Sequence, residues 1–309
     1  MPILAIDPGA GAPVDTSSAW RGATLTWTGA DGQVWDLSDP SSGVVLSDGG
    51  ITGLGMPPMT RYSATAPAVA GSRWKGWRVD EREVFLPVFI FSSSSSAQWV
   101  SRDRAFWAGV RPDAYGVLTY STADGESRSL RCRFSDDGTY SVSRDPNLTG
   151  WSLYGLTLVA DEHPLWEGTR QRWEFSAGTT APFFSGAGGV VTISPSQTLS
   201  DASVTNLGDV DAWPAWSVTG PVDQISLGVG GGTVTYLAPV AAGQTVSIDT
   251  DPREMSVVDG SGVDLSANAT FRALPCPPGN PVELDIEASG AGAAARVSMT
   301  LTPQYFRAW

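Results

Sequence analysis

The chain contains a single histidine, His163, in the stretch "DEHPLWEG" beside Asp161 and Glu162. A Ser-His-Asp or Cys-His arrangement would have to use this imidazole or do without one. One imidazole cannot build the usual multi-histidine metal site. It stands directly before Pro164, so it reads as a polar residue at a strand end entering a turn. Paired carboxylates are the other route to hydrolytic chemistry, because a glycosidase needs an acid and a base or nucleophile. The candidate pairs are Asp161/Glu162, Asp136/Asp137, Asp209/Asp211 and Glu283/Asp285. The first three fall where turns are expected, and turns favour Asp for local backbone bonding. Glu283 and Asp285 alternate with Val282, Leu284 and Ile286, which places them on the solvent face of a strand. Asn206, Asp209 and Asp211 offer the hard oxygens that calcium takes, at a spacing that is not an EF-hand. "GVGGGT" lacks the Gly-Lys-Ser/Thr ending of a phosphate loop and reads as a hairpin tip. The two cysteines, Cys132 and Cys276, are too few and too distant for a disulfide framework or metal cluster. Cys132 takes an inward position in "SLRCRF" and reads as a buried thiol. The residues that could do chemistry therefore predict no catalytic centre, no cofactor and no resident metal.

Composition narrows the partners. The formal net charge of the 309-residue chain is −13, the opposite of the positive footprint that nucleic-acid binding requires. Lys75 is the only lysine; every other cation is an arginine. The opening "MPILAIDPGAGAPV" has neither a basic start nor a long apolar run, so no signal peptide is expected. The apolar stretch "VFLPVFIF" is too short to span a bilayer. The expectation is a chain made in a cytoplasm and not inserted in a membrane. Tryptophan is abundant, at thirteen. Trp213 and Trp216 flank Pro214 and invite the reading of a sugar-stacking platform. The competing reading is that tryptophans fill cores and, with arginines, anchor protein–protein contacts.

Period-two alternation punctuated by turns dominates the chain. In "ATLTWTGADGQVWDL", Leu25 and Trp27 share a face with Trp35 and Leu37 across an Asp31-Gly32 turn. Asp124-Gly125 and Asp137-Gly138 repeat the device, with Leu118, Tyr120, Leu130, Cys132 and Phe134 inward and then Leu156, Leu158 and Ala160. One helix is expected in "SAQWVSRDRAFWAGVRPD". Trp99, Val100, Phe106, Trp107 and Val110 share its apolar face, the Ser92–Ser96 run supplies a cap, and Gly109 with Pro112 supplies a stop. The segment "GTTAPFFSGAGGVV" changes character, which puts a domain boundary near Glu167 to Trp173. Alternation then resumes in Trp216/Val218, Ile225/Leu227, Val234/Tyr236, Val246/Ile248, Met255/Val257, Val282/Leu284/Ile286 and Val297/Met299/Leu301. A turn falls about every eight to twelve residues, as in a sandwich or jelly roll. The predicted fold is mainly β: two antiparallel β-sandwich domains, 1–168 with one α-helix and 169–309 without.

The order of these features resembles the distal tail proteins of long-tailed, non-contractile bacteriophages and the related minor tail proteins. "GSRWKGWRVDEREVFLPVFIF" is similar to the family's first-half pattern, with Arg78 and Arg82 where it has arginines. "LTLVADEHPLWEG" is similar to its strand with an acidic-Pro-aromatic ending, here Asp161, Pro164 and Trp166, with Glu162 and His163 intervening. "VTNLGDVDAWPAWSVTG" matches in Asn206, Gly208, Asp209, Pro214 and Gly220. "CPPGNPVELDI" matches in Gly279 and Asn280, and "VSMTLTPQYFRAW" resembles the last strand and its aromatic tail. The resemblance implies a structural virion protein of the tail tip, not an enzyme. It would form a ring, usually hexameric, between the tail tube protein and the tail-tip hub or baseplate. The first domain would form the ring. The second would be a galectin-like or carbohydrate-module-like jelly roll. The alternative is an adhesin module gripping a host-surface glycan, with Trp213 and Trp216 as contacts.

Overall fold

The computed structural model describes residues 22–48, 50–138, 140, 142–177, 190–193 and 203–309. The opening "MPILAIDPGAGAPV" and residues 178–189 of the proposed boundary segment lie outside the described residues. The chain divides into two compact units: Met1–Glu167 with Phe306–Trp309, and Gly168–Tyr305.

The elements of the first unit are β1 (Thr24–Thr28), β2 (Val34–Asp36), β3 (Val44–Leu46), β4 (Met59–Ala64), β5 (Arg73–Val79), β6 (Arg82–Phe91), α1 (Ser96–Ala108), β7 (Gly116–Ser121), β8 (Ser127–Asp136), α2 (Pro146–Thr149), β9 (Trp151–Ala160) and β10 (Trp166–Glu167). An antiparallel sheet runs β2-β1-β7-β8-β9-β6-β3, and β10 adds to β8. The Leu46 N–H donates to the Leu37 carbonyl at 3.0 Å, which joins the two ends and curls the sheet on itself. Alternation turns Leu25, Trp27, Leu86, Ile90, Leu118, Leu130, Cys132, Leu156 and Leu158 inward, all at most 1% exposed. Burying each large apolar side chain contributes about 1.5–3 kcal/mol.

The helix forms where the sequence places it. Ser95 caps it, its hydroxyl accepting from the Gln98 N–H at 3.1 Å. Trp99 and Phe106 are buried, and Phe106 meets Trp35 edge-on. Val100 and Trp107 are only half-buried. The Asp31-Gly32 and Asp124-Gly125 turns close tight hairpins, with Gly32 at φ +81° and Gly125 at φ +91°. Asp137-Gly138 does not. The chain runs on from there to the short helix α2, which the sequence analysis missed, before β9 begins. Asp145 and Pro146 start α2 and Gly150 ends it within one turn, too short for a period to register.

The second unit contains β11 (Gln171–Ala177), β12 (Val190–Ile193), β13 (Ser203–Thr205), β14 (Ala215–Thr219), β15 (Gln224–Val229), β16 (Gly232–Tyr236), β17 (Thr245–Asp249), β18 (Ser256–Asp259), β19 (Ala269–Arg272), β20 (Pro281–Ser289) and β21 (Arg296–Leu301). Two sheets, β12-β11-β21-β14-β17-β18 and β13-β20-β15-β16-β19, enclose one apolar core. Pairing is antiparallel except between β11 and β12, which run parallel. Met255 departs from the expected inward set. It precedes β18 in a turn on the Asp251 carbonyl and is exposed, while Val257 is buried. The fold is mainly β, as expected. No described helix is long and apolar enough to cross a membrane.

Candidate functional site

The residues singled out for chemistry are mostly committed to local structure. Asp161 accepts from the Tyr115 hydroxyl at 2.7 Å and pairs with the Arg133 guanidinium. Burial works against the charged carboxylate, but the two donors outweigh it and hold its pKa below the usual range. Burial, and then the bond to Asp161, push the Tyr115 hydroxyl up to about 12. His163 is half-buried, with its Nδ1 buried and lacking a hydrogen-bond partner. Asp136 is the last residue of β8, and Asp137 follows it. Asp285 accepts from the Gly231 N–H at 2.7 Å, which fastens the "GVGGGT" tip where Gly230 and Gly231 adopt φ +60° and +82°. Both cysteines are buried free thiols. Burial raises each thiol's pKa and keeps the reactive thiolate scarce. Among the described residues no three His, Cys, Asp or Glu side chains gather as metal ligands would.

Three turn residues of the second unit, Asn206, Gly208 and Gly279, do gather. The Asn206 side chain is wholly buried. Its Nδ2 donates to the carbonyls of Val210 at 2.7 Å and Cys276 at 2.9 Å, and its Oδ1 accepts from the Gly208 N–H at 2.9 Å. Its own carbonyl accepts from the Gly279 N–H at 3.0 Å. The Asn206 amide is thus occupied as a turn staple, while Asp209 and Asp211 are both exposed. Gly208 has no room for a Cβ, which would lie 2.6 Å from the Gln304 backbone. The Asp209 N–H donates to the Gln304 carbonyl at 2.8 Å. Pro214 is buried, and its carbonyl accepts from the Thr250 hydroxyl at 2.6 Å. A Cβ on Gly220 would meet the Val240 carbonyl at 2.2 Å. Asn280 is exposed.

The glycan suspects separate. Alternation on β14 turns Trp216 inward, where it is 2% exposed and packed in the core, so its ring is no stacking face. Trp213 is half-buried. The same unit has an open cleft of about 500 Å³ lined by Tyr236, Gln244, Thr245, Asp259 and Ser261, among others. Its polar groups largely serve their own turns: Asp259 accepts from Ser261 and Val263, and Gln244 accepts from Ala241.

Among the described residues, the exposed aromatic surface lies in the first unit, away from the tryptophans singled out in the sequence. β4 and β5 form a separate two-stranded arm. It exposes Trp74 (57%) and Trp77 (43%). Trp77 also meets Phe306 at 5.6 Å between ring centroids. A second patch lies on the outer face of β6 and β9. There Phe89 stacks on Phe91 at 5.5 Å and leans on Trp151 at 5.6 Å, with Leu153 opposite Phe89. Trp151 and Leu153 are 47% and 48% exposed. An apolar row on the outside of a sheet whose inner face already holds a core marks a contact surface rather than a packing residue left over.

No protein-family model matches this sequence, and no curated protein matches it. Solved structures do match the fold. The phage SPP1 Dit (gp 19.1) protein, described as a paradigm of the hub adsorption apparatus in phages infecting Gram-positive hosts, aligns with a TM-score of 0.59. The identity is 13%, over 92% of this chain and 99% of that one. A chain of the phage P2 baseplate in its activated conformation with Ca aligns at 0.56, with 11% identity over 93% and 100% of the two chains. The same baseplate with Sr gives 0.54, 12%, 91% and 98%. The fold is the one implied by the distal-tail resemblance.

Proposed function

We propose that this chain is a structural protein of the tail tip of a long-tailed phage, assembled in the host cytoplasm and carried in the virion. Copies of it form a ring, hexameric by the family resemblance, joining the tail tube protein to the hub or baseplate. The observation that carries this reading is the fold likeness to a phage hub protein, which takes in nearly the whole of both chains. In this reading 1–168 makes the ring and 169–309 is the galectin-like domain. The glycan alternative loses Trp216 to the core and keeps Trp213.

The test is the native mass of the purified full chain, with negative-stain images of the same sample and of the chain mixed with its tail tube protein. Closed rings support the proposal. A chain that stays monomeric alone and beside the tube protein overturns it. Binding in a glycan screen, lost on Trp213→Ala, would favour the adhesin reading.

A further inference from the structure

We propose that the aromatic face of the β4–β5 arm of one copy seats on the aromatic strip across β6 and β9 of a second copy. This rests on the ring reading and adds to it the two surfaces that meet.

The arm is built to present two indoles together. Along an uninterrupted strand, residues an odd number apart face opposite ways, which would separate Trp74 from Trp77. The pairing prevents this. Arg61 is opposite Trp77 and Ser63 is opposite Trp74, with a register shift between Tyr62 and Ser63. Lys75 is the extra residue of a β-bulge, a device that re-aims side chains. Gly76, at φ +145°, supplies a backbone that other residues rarely adopt. Both tryptophans thus share the face that carries Arg61. Apart from its base, where Trp77 meets Phe306, this face is exposed.

Charge selects the occupant. Residues 59–79 hold Arg61, Arg73, Lys75 and Arg78 and no acid, within a chain of net charge −13. Asp80 pairs with Arg78, whereas no ion pair involves Arg61, Arg73 or Lys75 among the described residues. A cationic arm on an acidic chain finds its complement on another copy of that chain. The β6–β9 strip has the matching layout. Phe89, Phe91, Trp151 and Leu153 lie at one end. At the other, exposed Glu83 pairs with Val159, and exposed Asp136 pairs with Thr157, which in turn faces Phe85. Trp and Arg are the residues that most often dominate such contacts. The two surfaces differ, so the contact is head-to-tail and can propagate into a closed ring.

The test uses the full chain at tens of micromolar and sedimentation velocity. Trp74→Ala with Trp77→Ala on the arm, and separately Trp151→Ser with Leu153→Ser on the strip, are each expected to weaken self-association on the order of tenfold or more. An equimolar mixture of the two variants has one intact arm and one intact strip, and is expected to stop at a pair. Inserting one threonine between Tyr62 and Ser63 gives Lys75 a partner across the arm, removes the bulge, turns Trp74 away from Trp77 and should weaken association likewise. Circular dichroism and the thermal midpoint check that each variant folds. Should the arm variants fold poorly, the charge swap replaces them: Arg61→Glu with Lys75→Glu weakens association, and Glu83→Arg with Asp136→Arg in the partner copy restores it. If wild type associates and every variant associates equally well, these surfaces are wrong and the ring reading stands. If wild type does not associate, alone or beside its tail tube protein, and a benzoylphenylalanine placed at position 74 crosslinks to no second copy in either sample, both fall.

Discussion

The Arg82 guanidinium donates to the carbonyl of Phe306, 224 residues downstream, at 2.7 Å. The same side chain, 1% exposed, also donates to the carbonyls of Pro164, Gly53 and Gly55 at 2.7–2.9 Å. It faces four neutral carbonyl acceptors, and burial lowers its pKa to about 10, which leaves it charged near neutrality. One side chain therefore closes loops from three parts of the first unit.

Arg82→Met would leave these acceptors buried without a donor. Each such group costs about 1–3 kcal/mol, so with four of them the first unit should lose at least about 4 kcal/mol. Urea titration of the full chain should show an early transition for the first unit and an unmoved one for the second. A wild-type midpoint in the variant would mean that water replaces the guanidinium without loss.

The Asn206 turn makes a graded prediction in the second unit. Asn206→Ala strips three hydrogen bonds and leaves the Val210 and Cys276 carbonyls short of a donor. The expected cost is about 2–4 kcal/mol. Gly208→Ala should be comparably severe, because backbone rather than a flexible side chain occupies the Cβ position. Gly279→Val should cost less, about 1–2 kcal/mol, since φ +81° strains it but nothing lies within 4 Å. Thermal midpoints of the three variants give the order. Gly279→Val as the most damaging would refute the geometric argument.

Some of this was legible in the sequence because it is local. Alternation alone turned Leu25, Trp27, Leu118, Leu130, Leu284 and Ile286 to the core, and the serine run capped α1. The turn residues Asn206, Gly208 and Gly279 could be named, but not that they meet: the Asn206–Gly279 contact depends on the fold of the intervening chain. The arm was hidden for another reason. "SRWKGWRV" alternates poorly, and its bulge breaks the period that would have marked a strand. Alternation had already paired Trp216 with Val218 on one face, and both are buried. The neighbouring Trp213 and Pro214 lent it the look of a platform.

The two tryptophans now make opposite predictions. Trp216→Ala empties a core position and should destabilise the second unit by about 3–5 kcal/mol. Trp213 is only half-buried, so Trp213→Ala should cost clearly less. Denaturant midpoints of the two variants decide this. Equal losses would mean that Trp213 also carries core packing.

Acid should loosen the first unit through Asp161. Its carboxyl titrates lower in the folded chain than in the unfolded one: burial opposes this, but the Tyr115 hydroxyl and Arg133 outweigh it. A depressed folded pKa means that the unfolded chain binds the proton more readily. The stabilisation is therefore complete above the unfolded value of about 3.9 and is lost as pH falls through the lower, folded value. Asp161→Asn removes the charge at every pH. Its thermal midpoint should lie below wild type at pH 7, and the gap should close as pH falls through the folded value, where wild type is protonated as well. Scanning both proteins from pH 7 to pH 2 reads this directly. A gap that stays constant across the scan would assign the loss to altered packing around Tyr115 and not to the Arg133 ion pair.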